Sequence, residues 1–151
     1  MSGVTEAKFV RRQRGIATVE LAIVAPIFLL MLLGVAELGR ALFQYNTLSK
    51  AVRDGARYYS GSVLNTNDVA GAVHLVQYGQ TVGGSSLLPG SLPTVNIPAP
   101  VIDATGTYVT VSASYAFAFL PGNPLDGILG LFGSALPDPF VLTATTTMRA
   151  I

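Results

Sequence analysis

The sequence predicts an α+β protein: a long N-terminal membrane and stem helix, then a small domain with a short helix and an antiparallel sheet. Three observations carry this reading. Residues 21–36 hold no charged side chain. Residues 37–59 keep a helical apolar period while becoming polar off that stripe. Residues 108–119 alternate apolar and small polar side chains, as a strand with one buried face does. The expected organisation is a basic leader over 1–15, a transmembrane helix over 16–39, an amphipathic stem helix over 40–60 and a small α+β domain over 61–151.

The apolar run is long enough to cross a bilayer once residues 16–19 are added, with Glu20 the one interruption. Ten strong apolar side chains, from Leu21 to Val35, favour insertion by about 3–6 kcal/mol. Glu20 stands near one end, where a charge costs least. Pro26 lies within the run, and membrane helices tolerate proline because neighbouring groups satisfy the freed carbonyl. Lys8, Arg11, Arg12 and Arg14 precede the run, which places that end in the cytoplasm and the C-terminal domain outside it. Arg40, Lys50, Arg53 and Arg57 follow it at greater spacing. A cleaved secretory signal has a shorter apolar region that ends at a small-x-small site; here the run is longer and no Ala-x-Ala follows it.

Composition agrees with an anchored chain. Half of the residues are apolar and 11% are charged, against about 25% in a soluble domain. Eight of the nine basic residues lie at or before Arg57. The remainder is nearly uncharged, which excludes the basic folded face that nucleic-acid binding requires. There is no cysteine, so disulfides, thiolate metal sites and a cysteine nucleophile are excluded.

Chemistry-bearing residues are sparse. His74 is the sole histidine and has no companion at metal-ligand spacing. The aspartates after residue 60 are scattered, and no serine has an identifiable base. The expectation is no enzyme, no metal and no cofactor.

Arg14-Gly15 followed by Ile16-Ala17-Thr18-Val19-Glu20 resembles the type IV prepilin pattern of a basic leader, a glycine and a glutamate at the fifth following position. The resemblance implies that a membrane prepilin peptidase cuts after Gly15 and that Ile16 becomes the N-terminus. The physics of Glu20 is separable from the family. A carboxylate at the start of a membrane helix is costly unless paired, and a helix N-terminus favours negative charge. Its natural partner is an amine at Ile16, of the same or a neighbouring subunit.

Beyond the anchor, Leu38, Leu42, Tyr45, Leu48, Val52 and Tyr59, with Ala41 and Ala56, form the expected stem stripe, and Gly61 is a stop signal. The stripe packs on its own domain or on another subunit. Thr66 or Asn67 is expected to cap a short helix through Tyr78. Residues 79–100 read as loop, with an edge strand over 94–97. In the main strand Val109, Val111, Ala113, Tyr115, Phe117 and Phe119 share a face. Residues 141–148 form a second long strand, antiparallel to the first. The apolar patch Ile128, Leu129, Leu131 and Phe132 is either core or a partner-binding loop.

The block over 14–22, then Pro26, then Glu37-Leu38-Gly39-Arg40, then Ala51-Val52-Arg53-Asp54-Gly55-Ala56-Arg57-Tyr58, resembles the TadE-like family. Residues 72–79 are similar to it more thinly. The resemblance implies a minor pilin-like, or pseudopilin, structural subunit of the tight-adherence (Tad/Flp) pilus. It also implies the prepilin peptidase, other pilin or pseudopilin subunits and the Tad inner-membrane machinery as partners. The alternative is a single-pass membrane protein with an uncut N-terminus and an outer domain that binds a ligand or partner.

Overall fold

A computed structural model describes residues 6–120, 127, 129–130, 133–134 and 139–151, with side chains from residue 15 onward. The basic side chains before Gly15 and the apolar residues Ile128, Leu131 and Phe132 lie outside the described residues. The architecture is the α+β one that the sequence predicts. Helix α1 spans Glu6–Ser62 and α2 spans Val69–Tyr78. Strands β1 (Thr94–Asn96), β2 (Val101–Asp103), β3 (Gly106–Phe117) and β4 (Phe140–Arg149) form one antiparallel sheet. The chain divides into two compact units: residues 1–38 with 120–136, and residues 39–119 with 137–151.

In the first unit α1 carries the apolar run. It is long and apolar enough to cross a membrane, and none of its most apolar window is buried within the chain. A core helix of a globular domain would bury that stretch, because leaving it in water is unfavourable by about 1.5–3 kcal/mol per large side chain. Ile16, Leu21, Ile23, Ile27 and Phe28 are all exposed, and they point to different sides of the helix.

The second unit is built on β3, which pairs with every other strand. Ten continuous residue pairs, from Tyr108↔Arg149 to Phe117↔Phe140, join it to β4 without a bulge. On its other side it pairs with β1 at residues 112–114 and with β2 at 106–108. The expected alternation holds: Val109, Val111, Ala113, Tyr115 and Phe117 are buried. β2 has no alternating pattern, since all three of its residues are exposed, and the sequence did not announce it. Asp103 closes the β2–β3 turn by accepting from the backbone N–H groups of Thr105 and Gly106.

The stem part of α1 packs on this sheet through Leu48, Ala51, Val52 and Ala56. The buried stripe begins one residue away from the expected one. Leu38, Leu42 and Tyr45 are exposed, whereas Gln44 is buried. From Leu48 onward the two stripes coincide. The apolar period misled at the start because large apolar residues there face outward and a polar one faces the core.

The short helix is capped by Asp68, and not by Thr66 or Asn67 as expected. Asp68 Oδ1 accepts the N–H of Gly71 at 2.9 Å, satisfying a donor that the first helical turn leaves open. Asn67 instead takes a left-handed conformation with φ of 50°, which asparagine tolerates better than most residues. Gly79 ends α2 at φ of 72°.

Candidate functional site

In the N-terminal stretch, Gly15, Ile16, Val19, Glu20 and Ile23 line one open surface of α1. One helical turn separates Ile16 from Glu20, so the two share a face. Glu20 is exposed and surrounded mainly by apolar side chains. The space around Gly15 is open among the described residues, with no atom beyond its chain neighbours and the backbone of its own helix within 4 Å of where a side chain would begin. Helix α1 continues through Gly15.

At the other end of the apolar run the geometry is more specific. Glu37 is 1% exposed, and its Oε1 accepts the backbone N–H of Leu120 at 2.6 Å. A buried carboxylate at that position is costly unless hydrogen bonds compensate it. The segment that leaves the sheet after β3 is thus received at a residue directly following the uncharged run.

In the second unit, Arg40 donates from Nη2 to the carbonyl of Ala118 and lies 4.9 Å above the Phe117 ring. The contact combines a charge-assisted hydrogen bond with cation–π attraction. Phe117, Phe119 and Phe140 cluster beside it, with ring centroids 5.0–6.3 Å apart. The Tyr115 hydroxyl donates to the Pro89 carbonyl. Burial pushes that phenol up from its ordinary pKa, with Arg40 acting in the opposite sense. Arg40, Gln44, Pro89, Gly90, Tyr115, Ala118 and Phe119 line an open depression of about 350 Å³.

Two tyrosines tie α1 to the α2 entrance. Tyr58 donates to Asp68 Oδ2 at 2.5 Å, and Tyr59 donates to Asn67 Oδ1 at 2.8 Å. The Tyr58 hydrogen bond and then the Gly71 N–H hold the Asp68 carboxyl below its usual value. These bonds join the end of α1 to the segment that opens α2. His74 makes a polar contact with the Thr81 carbonyl at 3.2 Å and packs beside Tyr78. Among the described residues no group of three or more His, Asp or Glu side chains could hold a metal ion.

The stem presents a second feature that composition alone does not reveal. Leu38, Leu42, Phe43 and Tyr45 are exposed just beyond the apolar run, Phe43 to 72%.

Residues 15–57 match the model of the TadE-like protein family. No curated protein and no solved structure matches the chain. The TadE-like stretch starts at Gly15, covers the whole apolar run and ends one residue before Tyr58. It contains Glu20, Glu37 and Arg40, and it stops short of residues 72–79. The match links this segment to a structural, pilus-related family.

Sequence reasoning singled out Gly15, Ile16 and Glu20, which all lie on α1, with Ile16 and Glu20 one turn apart. It did not single out Glu37 as buried, nor Arg40 as an aromatic-stacked donor. A signal was present in Glu37-Leu38-Gly39-Arg40: two charges directly after an apolar run need partners, and the nearly uncharged remainder offers mainly backbone carbonyls, N–H groups and rings.

Proposed function

We propose that the protein is a minor pilin-like structural subunit for assembly of a Tad-type pilus, and not an enzyme. In this reading α1 anchors the chain in the bacterial inner membrane, with its N-terminus cytoplasmic and the sheet-bearing domain extracytoplasmic. A prepilin peptidase cuts after Gly15, and the new amine at Ile16 pairs with Glu20 of its own or a neighbouring subunit. Other pilin or pseudopilin subunits then pack along α1, drawing on the Tad inner-membrane machinery.

The observation that carries the reading is the TadE-like match beginning at Gly15 on a helix whose most apolar window is not buried among the described residues. Such a helix needs lipid or other helices around it. The exposed apolar side chains of the early stem extend the same uncovered surface past the anchor.

The test is the Glu20→Ala variant in the cell that makes the protein. Extraction at alkaline pH is expected to leave the variant in the membrane fraction, since removing a charge favours insertion. Pili counted by electron microscopy are expected to fall sharply. Normal pili in that variant contradict the pairing role of Glu20. The uncut single-pass reading draws on the continuity of α1 through Gly15, and it predicts no new N-terminus at Ile16.

A further inference from the structure

Between Glu20 and Lys50 the sequence carries two charged side chains, Glu37 and Arg40. Both are turned to partners within the chain. Glu37 is buried and accepts the Leu120 N–H. Arg40 is half-buried, donates to the Ala118 carbonyl and lies over the Phe117 ring. Glu20 and Lys50, by contrast, are exposed. Lys50 follows Glu20 by thirty positions on the same helix, a contour of about 45 Å at 1.5 Å per residue. The hydrocarbon core of a bilayer is about 30 Å thick, and the bilayer with its headgroup layers is about 40–45 Å. The stretch without a fully exposed charge is too long for the hydrocarbon alone and matches the whole bilayer.

The exposed side chains of α1 change character in the order a bilayer does. Over residues 21–36 the large exposed ones are aliphatic, with Phe28. Leu42, Phe43 and Tyr45 follow, exposed, uncharged and in two cases aromatic. Lys50, Arg53, Asp54 and Arg57 come next, all exposed. Along the contour Leu42, Phe43 and Tyr45 stand about 4–9 Å past Gly39, and a headgroup layer is about 5–8 Å deep on each side. Tyrosine, with an apolar ring and a polar tip, suits that depth.

We propose that Leu42, Phe43 and Tyr45 form a lipid-docking face seated in the headgroup layer of the leaflet opposite Glu20. The membrane-embedded part of α1 then ends near Ser49, ten residues beyond the limit that apolarity alone sets at Gly39. The partner is the glycerol and headgroup region of phospholipid. It is held by apolar and aromatic contact and not by charge, since residues 41–49 carry none. Continuity with the apolar run on one helix favours lipid as the occupant. Outside the hydrocarbon those three side chains offer roughly a few hundred Å² of apolar area, below the about 800 Å² that each side of a stable protein interface buries. This inference rests on the anchoring part of the proposed function and not on the pilus.

The test uses the full chain and its lack of tryptophan. Phe43→Trp places a single fluorophore in the face, keeps an aromatic ring there and alters an exposed position. Ile27→Trp, within the apolar run, reports the anchor. Each variant is reconstituted at low density in phosphatidylcholine vesicles that carry either a nitroxide on the headgroup or bromines deep in the acyl chains. The headgroup nitroxide is expected to quench Phe43→Trp more strongly than Ile27→Trp, and the acyl bromines are expected to reverse that order. Aqueous iodide is expected to quench Phe43→Trp only weakly.

Strong iodide quenching of Phe43→Trp with no effect of the nitroxide overturns the proposal, and bromine quenching of Ile27→Trp in the same vesicles leaves the anchor standing. Protection of Phe43→Trp from nitroxide, bromine and iodide alike means that protein covers the face, and this also overturns it. Absence of bromine quenching at Ile27→Trp overturns the anchoring reading, and the proposal with it. None of these readouts depends on pili being formed.

Discussion

Tyr58 and Asp68 join the end of the stem to the start of α2 through a 2.5 Å hydrogen bond in which the phenol donates to the carboxylate. The bond sits ten residues apart in sequence, across the turn that reverses the chain. It also gives the domain a defined pH response. Asp68 is held below its ordinary value of 3.8, chiefly by Tyr58 and then by the Gly71 N–H. Its stabilisation is present above the unfolded-state value and disappears as pH falls through the folded one. Tyr58 is raised above 10.0, chiefly by the bond to Asp68. That contribution is present below the unfolded-state value and is lost as pH rises through the folded one. Thermal unfolding followed by circular dichroism is expected to be flat between about pH 5 and 9 and to weaken outside that window. Asp68→Asn keeps a helix cap and reduces the acid limb. Asp103, whose carboxyl Thr105 also holds low, contributes to the limb that remains.

Gly55 lies where the stem comes close to α2. A side-chain carbon there would lie 2.7 Å from Val76 Cγ2 and 3.1 Å from the Ala72 carbonyl oxygen. Alanine in a helix is preferred over glycine by about 1 kcal/mol. Overpacking against a backbone carbonyl costs about 1–3 kcal/mol, so the clash is expected to win. Gly55→Ala is therefore expected to destabilise the domain in chemical denaturation. Combining it with Val76→Ala is expected to yield less than the summed loss, because the two sites share one contact.

Glu37 is expected to behave as an acceptor rather than as a free charge. Glu37→Ala removes the partner of the Leu120 N–H, a loss of about 1 kcal/mol net for a typical bond. Amide exchange at Leu120 is expected to accelerate. Glu37→Gln keeps an oxygen in place and is expected to retain most of the protection.

The outward stem face separates assembly from folding. Phe43 is 72% exposed, so Phe43→Ser is expected to change domain stability by no more than about 0.5 kcal/mol. Under the proposed function the same variant reduces pilus number in electron micrographs, because it removes apolar contact from the uncovered helix face. A large drop in unfolding temperature would instead place Phe43 in the core.

Much of this was legible in the primary structure, for physical reasons that differ by element. The anchor is legible because lipid imposes length and apolarity. β3 is legible because one face is buried and the other is not, which writes a period of two into residues 108–117. β4 follows from its β-branched run. β2 is invisible because Val101 and Ile102 are both exposed and it is held by backbone pairing alone. The early stem is misread by one residue because Gln44 turns inward while Leu42 and Phe43 turn outward. That reversal is what an exposed assembly or membrane-proximal surface produces, and hydrophobic period alone cannot separate it from a core face. Of the proposed site, Ile16 and Glu20 stand one helical turn apart on α1, as any helix would place them. The partners of Glu37 and Arg40 are distant in sequence and follow only from the fold.

The most direct test of the account is the N-terminal residue of the protein extracted from membranes, read by intact-mass and terminal-peptide mass spectrometry. The account predicts a chain that begins at Ile16 and stays in the membrane fraction. A chain found in the aqueous fraction with residues 1–15 still attached would contradict it.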